Sequence, residues 1–179
     1  ETLERVGAAY PEKILCLASN GLNLAPYVDR IRKLNVSHVT LTVNAVDPNV
    51  HRGAEGAEVL LENQTAAMNT LRDAGILVKI NTVVIPGIND AHAEEVARYC
   101  KSLGAAIQNC IPMMCVEGSN FEDRLSPSPE NMSDVRKACG VHLEQMCHCA
   151  RCRADAVGLI GEENNAEIMR MLDNASKVC

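Results

Sequence analysis

Val78-Lys79-Ile80-Asn81-Thr82-Val83-Val84-Ile85 runs directly into Pro86-Gly87, and the reading of this stretch decides the fold. Eight residues rich in β-branched side chains, stopped by a turn dipeptide, predict a buried strand. A long helical pattern from about Glu55 to Asp73 precedes it and closes at Ala74-Gly75. A second helical pattern follows, with Asp90 as its expected cap and its end near Leu103. Strands separated by helices of this length call for a parallel sheet with right-handed crossovers.

The same alternation continues outward in both directions. Ala106-Ile107-Gln108-Asn109-Cys110-Ile111 before Pro112 reads as a strand, as does His38-Val39-Thr40-Leu41-Thr42-Val43-Asn44-Ala45, stopped by Asp47-Pro48. Ile14-Leu15-Cys16-Leu17-Ala18 reads as a short buried strand ending at Ser19-Asn20-Gly21. Residues 1–9, closed by Pro11, and Pro26 to Leu34 suit helices. Four parallel strands do not close a barrel, so the expected fold is α/β: an open sheet, or part of a larger partial barrel. Because Glu1 falls inside a helical pattern, the expectation is that the chain starts partway through a longer protein, with its first strands upstream. In either architecture ligands gather at the carboxyl ends of the strands. Ser19-Asn20, Asn44, Asn81 and Gln108-Asn109 are expected to converge there on one rim. Recurrent amides suit a polar organic ligand, and equally Asn ends strands for local reasons.

Composition narrows the class. The 179 residues are 47% hydrophobic, enough for one domain with a real core, yet hold no Trp, one Phe and three Tyr. Such a core is built from Val, Ile, Leu, Ala and Met, as in parallel α/β layers. A net charge of −6 without basic stripes argues against nucleic acid, and no apolar run is long enough to cross a membrane. Nine cysteines, odd in number and irregularly spaced, do not resemble a secreted disulfide framework and point to a reducing cytoplasm.

Four of those cysteines need an account of their own chemistry. Cys147-His148-Cys149-Ala150-Arg151-Cys152-Arg153 sets soft sulfur ligands beside cationic side chains. A Cys-x-x-Cys pair delivers two thiolates from one turn, and Arg151 and Arg153 favour the thiolate form and offset anionic sulfide. An iron–sulfur cluster suits this run, zinc also fits it, and a chance grouping of reduced thiols is the plain alternative. Cys16 on its own reads as a small apolar residue of a buried strand.

Leu15 to Leu22, Ser37 to Pro48, Val78 to Asp90 and His148-Cys149-x-x-Cys152-Arg153-Ala154-Asp155-Ala156-Val157-Gly158 occur in an order and spacing that resemble the NifB family of radical-SAM proteins, over roughly residues 1–162. The resemblance implies a partial (β/α) radical-SAM barrel with outer helices, its N-terminal strands missing here, and residues 163–179 as a tail or helix. It implies a maturase of the nitrogenase cofactor that fuses two [4Fe–4S] clusters and inserts a carbide derived from S-adenosylmethionine (SAM). Carried over position by position, it assigns Cys16 to one substrate cluster and Cys149 and Cys152 to the other, with Cys147 a bystander. For SAM it points to Ser19, Asn20, Asn44 and Asn81, to the turn Ile85-Pro86-Gly87, and to Ile111-Pro112-Met113 as an apolar wall. The implied partners are iron–sulfur cluster substrates, carrier or scaffold proteins of nitrogenase assembly and a reductant such as ferredoxin.

Departures from the family pattern bear on activity. The family's Cys-x-x-x-Cys-x-x-Cys loop, which holds the SAM-cleaving cluster, does not occur in these 179 residues, so they are not expected to cleave SAM by themselves. The stretches Asn49–Gly53 and Val116–Arg124 are shorter than the family pattern. Set against the enzyme reading is a non-catalytic iron–sulfur or zinc module built on Cys147, Cys149 and Cys152.

Overall fold

A computed structural model of the chain describes residues 1–51 and 56–146. The elements in order are α1 (Thr2–Ala9), β1 (Cys16–Ser19), α2 (Val28–Lys33), β2 (His38–Thr42), α3 (Ala57–Asp73), β3 (Leu77–Val84), α4 (Ala93–Ser102), β4 (Ile107–Pro112) and α5 (Pro129–Gly140). Short 3-10 turns at Ala25–Tyr27 and Pro48–His51 precede α2 and follow β2. The strands form one parallel sheet in sequence order, β1-β2-β3-β4.

Strand pairing fixes which residues share a face, because side chains alternate along a strand while register partners point the same way. Leu17, Val39, Val78 and then Leu41, Ile80, Gln108 lie in register on one face. Against that face pack stripes at helical spacing: Ala67, Met68 and Leu71 of α3, Ala93, Val96, Ala97 and Cys100 of α4, Met132, Val135 and Cys139 of α5. The core sits between these helices and the sheet. The opposite face carries Cys16, Ala18, Thr40, Thr42, Lys79, Asn81, Val83, Asn109 and Ile111.

Three expectations need correction. Along β3 fully buried residues alternate with half-buried ones, so the strand is not buried on both sides. β1 begins at Cys16 and lies at the sheet edge with Cys16 exposed, because it has a neighbour on one side alone among the described residues. Asp90 does not cap α4, whose N-cap residue is His92; Asp90 accepts from the Gly87 amide within the preceding turn. Helix α5 is an addition to the sequence reading. Its start is a Ser128 cap whose hydroxyl accepts from the Asn131 amide at 3.1 Å, with Pro129 at the first helical position.

The outer edge of β4 is closed. Gln108 pairs through its amide with the Glu144 carbonyl and through its carbonyl with the Met146 amide, and the Cys110 carbonyl accepts from Arg136 Nη2 at 2.9 Å. Pro112 has no amide to offer, so this edge presents few free groups.

Candidate functional site

Thr42, Asn81 and Asn109 are register partners across β2, β3 and β4, on the face away from the helices. Asn109 is buried, and the Asn81 side-chain oxygen is buried with no hydrogen-bond partner. An unpaired buried acceptor costs about 1–3 kcal/mol, and it marks a place where a donor from outside the protein would be welcome.

Just beyond this row the chain is locked. Asn44 Oδ1 accepts from the Val83 amide at 2.9 Å, and the Asn44 carbonyl accepts from Asn89 Nδ2 at 2.9 Å. Asn89, almost fully buried, also donates to the Val83 carbonyl at 2.8 Å and accepts from the Ile85 amide at 2.7 Å. One side chain therefore ties the end of β2 to the end of β3 and holds the Ile85-Pro86-Gly87 turn. Gly87 has φ of 68°, the left-handed conformation that glycine adopts at no steric cost.

The loop after β1 is held in the same manner. Gln64, buried on α3, donates through Nε2 to the Asn20 carbonyl at 2.7 Å and to the Thr42 carbonyl at 2.9 Å. Gly21, at φ 85°, lies so close that a Cβ there would meet Gln64 Cγ at 2.9 Å. The α3 side chain and the glycine thus fit together to bring the ends of β1 and β2 level.

The amides named from sequence are not brought together as a set. Asn81, Asn109 and Asn44 gather on or next to the face away from the helices. Ser19 pairs with Leu41, which places it on the helix side, and its hydroxyl accepts from the Gly21 amide at 3.0 Å. Asn20 Oδ1 accepts from the Leu22 amide at 3.1 Å. Both are occupied in shaping the local turn. On β4, Ile111 pairs with Val83 on the Asn81 face, and the buried Met113 continues the pairing by donating to the Val84 carbonyl at 3.1 Å.

Cys16 shares the face of Asn81 but pairs with His38, four rows before the Thr42–Asn81 row. At about 3.3 Å per residue this is roughly 13 Å along the strands, so Cys16 does not adjoin the amides. Cys149 and Cys152, with Cys147 and the boundary expected at residue 162, lie outside the described residues. Among the described residues no three His, Cys, Asp or Glu side chains gather as a metal site. No helix among them is long and apolar enough to cross a membrane.

Comparison with known proteins places this geometry. The model of the radical SAM superfamily matches residues 1–100. The chain belongs to that superfamily. It is 44% identical over 190 residues to the FeMo cofactor biosynthesis protein NifB of Chlorobaculum tepidum, covering 98% of this chain and 45% of that protein. Against the NifB of Frankia alni the identity is 38% over 190 residues, with 94% and 37% covered; against that of Azotobacter vinelandii it is 36% over 184 residues, with 93% and 37% covered. The chain spans less than half the length of these relatives. Among solved structures, a domain of pyruvate-formate lyase-activating enzyme from Bacteroides vulgatus superposes with a TM-score of 0.62 at 18% identity, covering 81% of this chain and 86% of that one. That likeness shows the fold, the partial α/β arrangement expected from the strand and helix alternation.

Superfamily membership implies SAM and a [4Fe–4S] cluster as cofactors, and the described residues fit the first. SAM carries amino and hydroxyl donors and a flat adenine. The unpartnered Asn81 oxygen is an acceptor in want of a donor, and the half-buried Ile111 offers apolar surface on the same face of the sheet.

Proposed function

We propose that this chain is the SAM-binding and cluster-substrate-binding part of a maturase that builds the precursor of the nitrogenase FeMo cofactor. In this reading two [4Fe–4S] clusters are fused, and a SAM-derived carbide together with one further sulfur atom from an added sulfur donor completes an 8Fe–9S–C product. The observation that carries the proposal is the Thr42–Asn81–Asn109 row with its unpaired acceptor, in a chain that matches NifB relatives along nearly all of its length.

The roles follow from the positions. Asn81 accepts from a donor group of SAM, with Asn44 and Asn20 presenting the amide groups that their turns leave over. The Ile85-Pro86-Gly87 turn, held rigid by Asn89, and Ile111 with Met113 supply the apolar walls that exclude water from the adenine, whereas Pro112, paired with Val84, falls on the helix side of the sheet. Ser19 acts through its loop rather than by contact. Bound SAM would supply both the carbon and the radical chemistry. Cys16 holds one iron–sulfur substrate at the sheet edge, and Cys149 with Cys152 the other. Its site of action is the cytoplasm, with a low-potential reductant such as ferredoxin as electron source and carrier or scaffold proteins of nitrogenase assembly as donors and acceptors of the clusters.

Anaerobic reconstitution with iron and sulfide, followed by iron counting and SAM equilibrium dialysis, tests the reading. Wild type should bind SAM and more than one cluster, Cys16→Ser should lose one cluster, and Cys149→Ser/Cys152→Ser a different one. A colourless protein that binds one zinc tightly and no SAM would replace the proposal with the metal-module reading.

A further inference from the structure

Three cysteines are fully or almost fully buried in the described core, and two of them are together. Cys110 of β4 and Cys139 of α5 have their Sγ atoms 3.9 Å apart, with 1% and 0% of their surface exposed. Cys100, on α4, has no such neighbour, and burial alone pushes its thiol up to about 12, so it is inert. Cys110 is set apart by what surrounds it. Its thiol donates to Gln145 Oε1 at 3.4 Å, and its carbonyl accepts from Arg136, whose Nε is buried without a hydrogen-bond partner. Hydrogen bonding to Cys139 lowers the Cys110 pKa against the cost of burial, and the Arg136 guanidinium lowers it further; Cys139 is shifted upward, first by its hydrogen bond to Cys110 and then by burial. The pair thus sets two sulfurs within reach of each other, Cys110 the lowered and Cys139 the raised of the two.

We propose that Cys110 and Cys139 form an oxidant-responsive dithiol that closes to a disulfide between β4 and α5. The oxidant is a hydroperoxide, hydrogen peroxide being the smallest. The Cys110 thiolate attacks one peroxide oxygen, the O–O bond breaks, and hydroxide leaves, giving a sulfenic acid. The Cys139 sulfur then attacks that sulfur and displaces the oxygen, which leaves as water with the thiol proton. In sum two thiols and one hydrogen peroxide give one disulfide and two waters, the sulfurs losing two electrons and the peroxide gaining them. Burial slows entry, so the reaction draws on local opening of α5 or of the segment leading into it.

The consequence reaches the candidate site through one strand. Cys110 follows Asn109 and precedes Ile111-Pro112-Met113, and bonding its sulfur requires the two Sγ atoms to close from 3.9 Å to about 2.05 Å. Drawing Cys110 toward α5 pulls β4 away from the face that bears Asn81. The dithiol itself stands independently of the SAM reading; its effect on SAM rests on it.

The test uses the whole chain purified under argon and titrated with hydrogen peroxide, then alkylated. Cleavage after Lys, Arg and Glu separates Cys139 from Cys147 and Cys149, and tandem mass spectrometry distinguishes Cys110 from Cys115. The expected result is a Cys110–Cys139 linked peptide that disappears on treatment with dithiothreitol. Absence of that peptide at peroxide doses that oxidise the exposed Cys16 and Cys115 overturns the proposal, as does linkage of either cysteine to a different partner. In a second arm, SAM affinity should fall at least several-fold on oxidation of wild type and hold in Cys110→Val. Linkage with unchanged SAM affinity would keep the dithiol and overturn its effect on the site.

Discussion

Replacing Asn81 by leucine, nearly the same in size, should move stability and ligand binding in opposite directions. Asn81 Oδ1 is buried and unpartnered, and such a group costs about 1–3 kcal/mol in the ligand-free protein. Leucine removes the unsatisfied acceptor and retains most of the volume, so Asn81→Leu should be more stable by about 1 kcal/mol, or roughly 2–4 °C in melting temperature. The hydrogen bond that SAM would gain from Asn81 has a net worth of about 1 kcal/mol, so affinity should fall roughly five-fold. Urea denaturation with a two-state fit gives the first quantity and equilibrium dialysis under argon the second. A variant less stable than wild type with unchanged SAM affinity would refute the reasoning, since Asn81 would then be a structural residue with a partner inside the fold.

The other predictions address the lock, the loop, the cluster ligands and an exposed ion pair. Asn89→Ala removes hydrogen bonds to Ile85, Val83 and Asn44 and should cost about 3 kcal/mol, read by urea denaturation. Gly21→Ala forces a left-handed alanine, about 1–2 kcal/mol, and presses a methyl on a Gln64 side chain pinned by two hydrogen bonds; thermal melting should show a loss at or above that range. Cys149→Ser/Cys152→Ser should remove the visible absorbance of one cluster while Cys147→Ser leaves most of it, and equal loss from Cys147→Ser would make that residue a ligand. Glu4 is held below its ordinary value, chiefly by its hydrogen bond to Arg30. The tie between α1 and α2 is therefore complete above the usual glutamate range and lost as pH falls through the lowered folded value. Arg30→Ala should raise the Glu4 titration midpoint, followed by NMR, toward its ordinary value.

The order of elements was legible because strand and helix periods differ and Pro and Gly punctuate them. The stretch from Val78 to Pro86 could be placed within one residue at each end. What sequence did not yield was the side of the sheet on which each polar residue falls. Ser19 and Asn81 both stand near strand ends, yet pairing sends Ser19 to the helices and Asn81 to the opposite face, and this parity depends on register between distant segments. Asn44 was selected as a ligand residue, and its side-chain oxygen is taken by Val83. Asn89 passed unremarked inside a turn motif although it makes the bonds that set the turn. Cys16 looked buried because its neighbours are apolar; its exposure follows from the edge position of β1, which no local pattern encodes. The cap that opens α5 was readable in Ser128-Pro129, but the irregular stretch before it gave no apolar period to attach it to.

The central claim is that this chain serves a maturase that places a carbon from SAM within an iron–sulfur product. The most direct measurement follows that carbon. The protein as encoded by its natural gene, reconstituted anaerobically with iron and sulfide and reduced, would be given SAM labelled in the methyl group with ¹⁴C, and the extracted cluster counted. The account predicts label in the cluster fraction, lost when Cys149 and Cys152 are replaced by serine. Label confined to methylated protein or free small molecules, with none in the cluster from a protein that binds both SAM and iron, would contradict it.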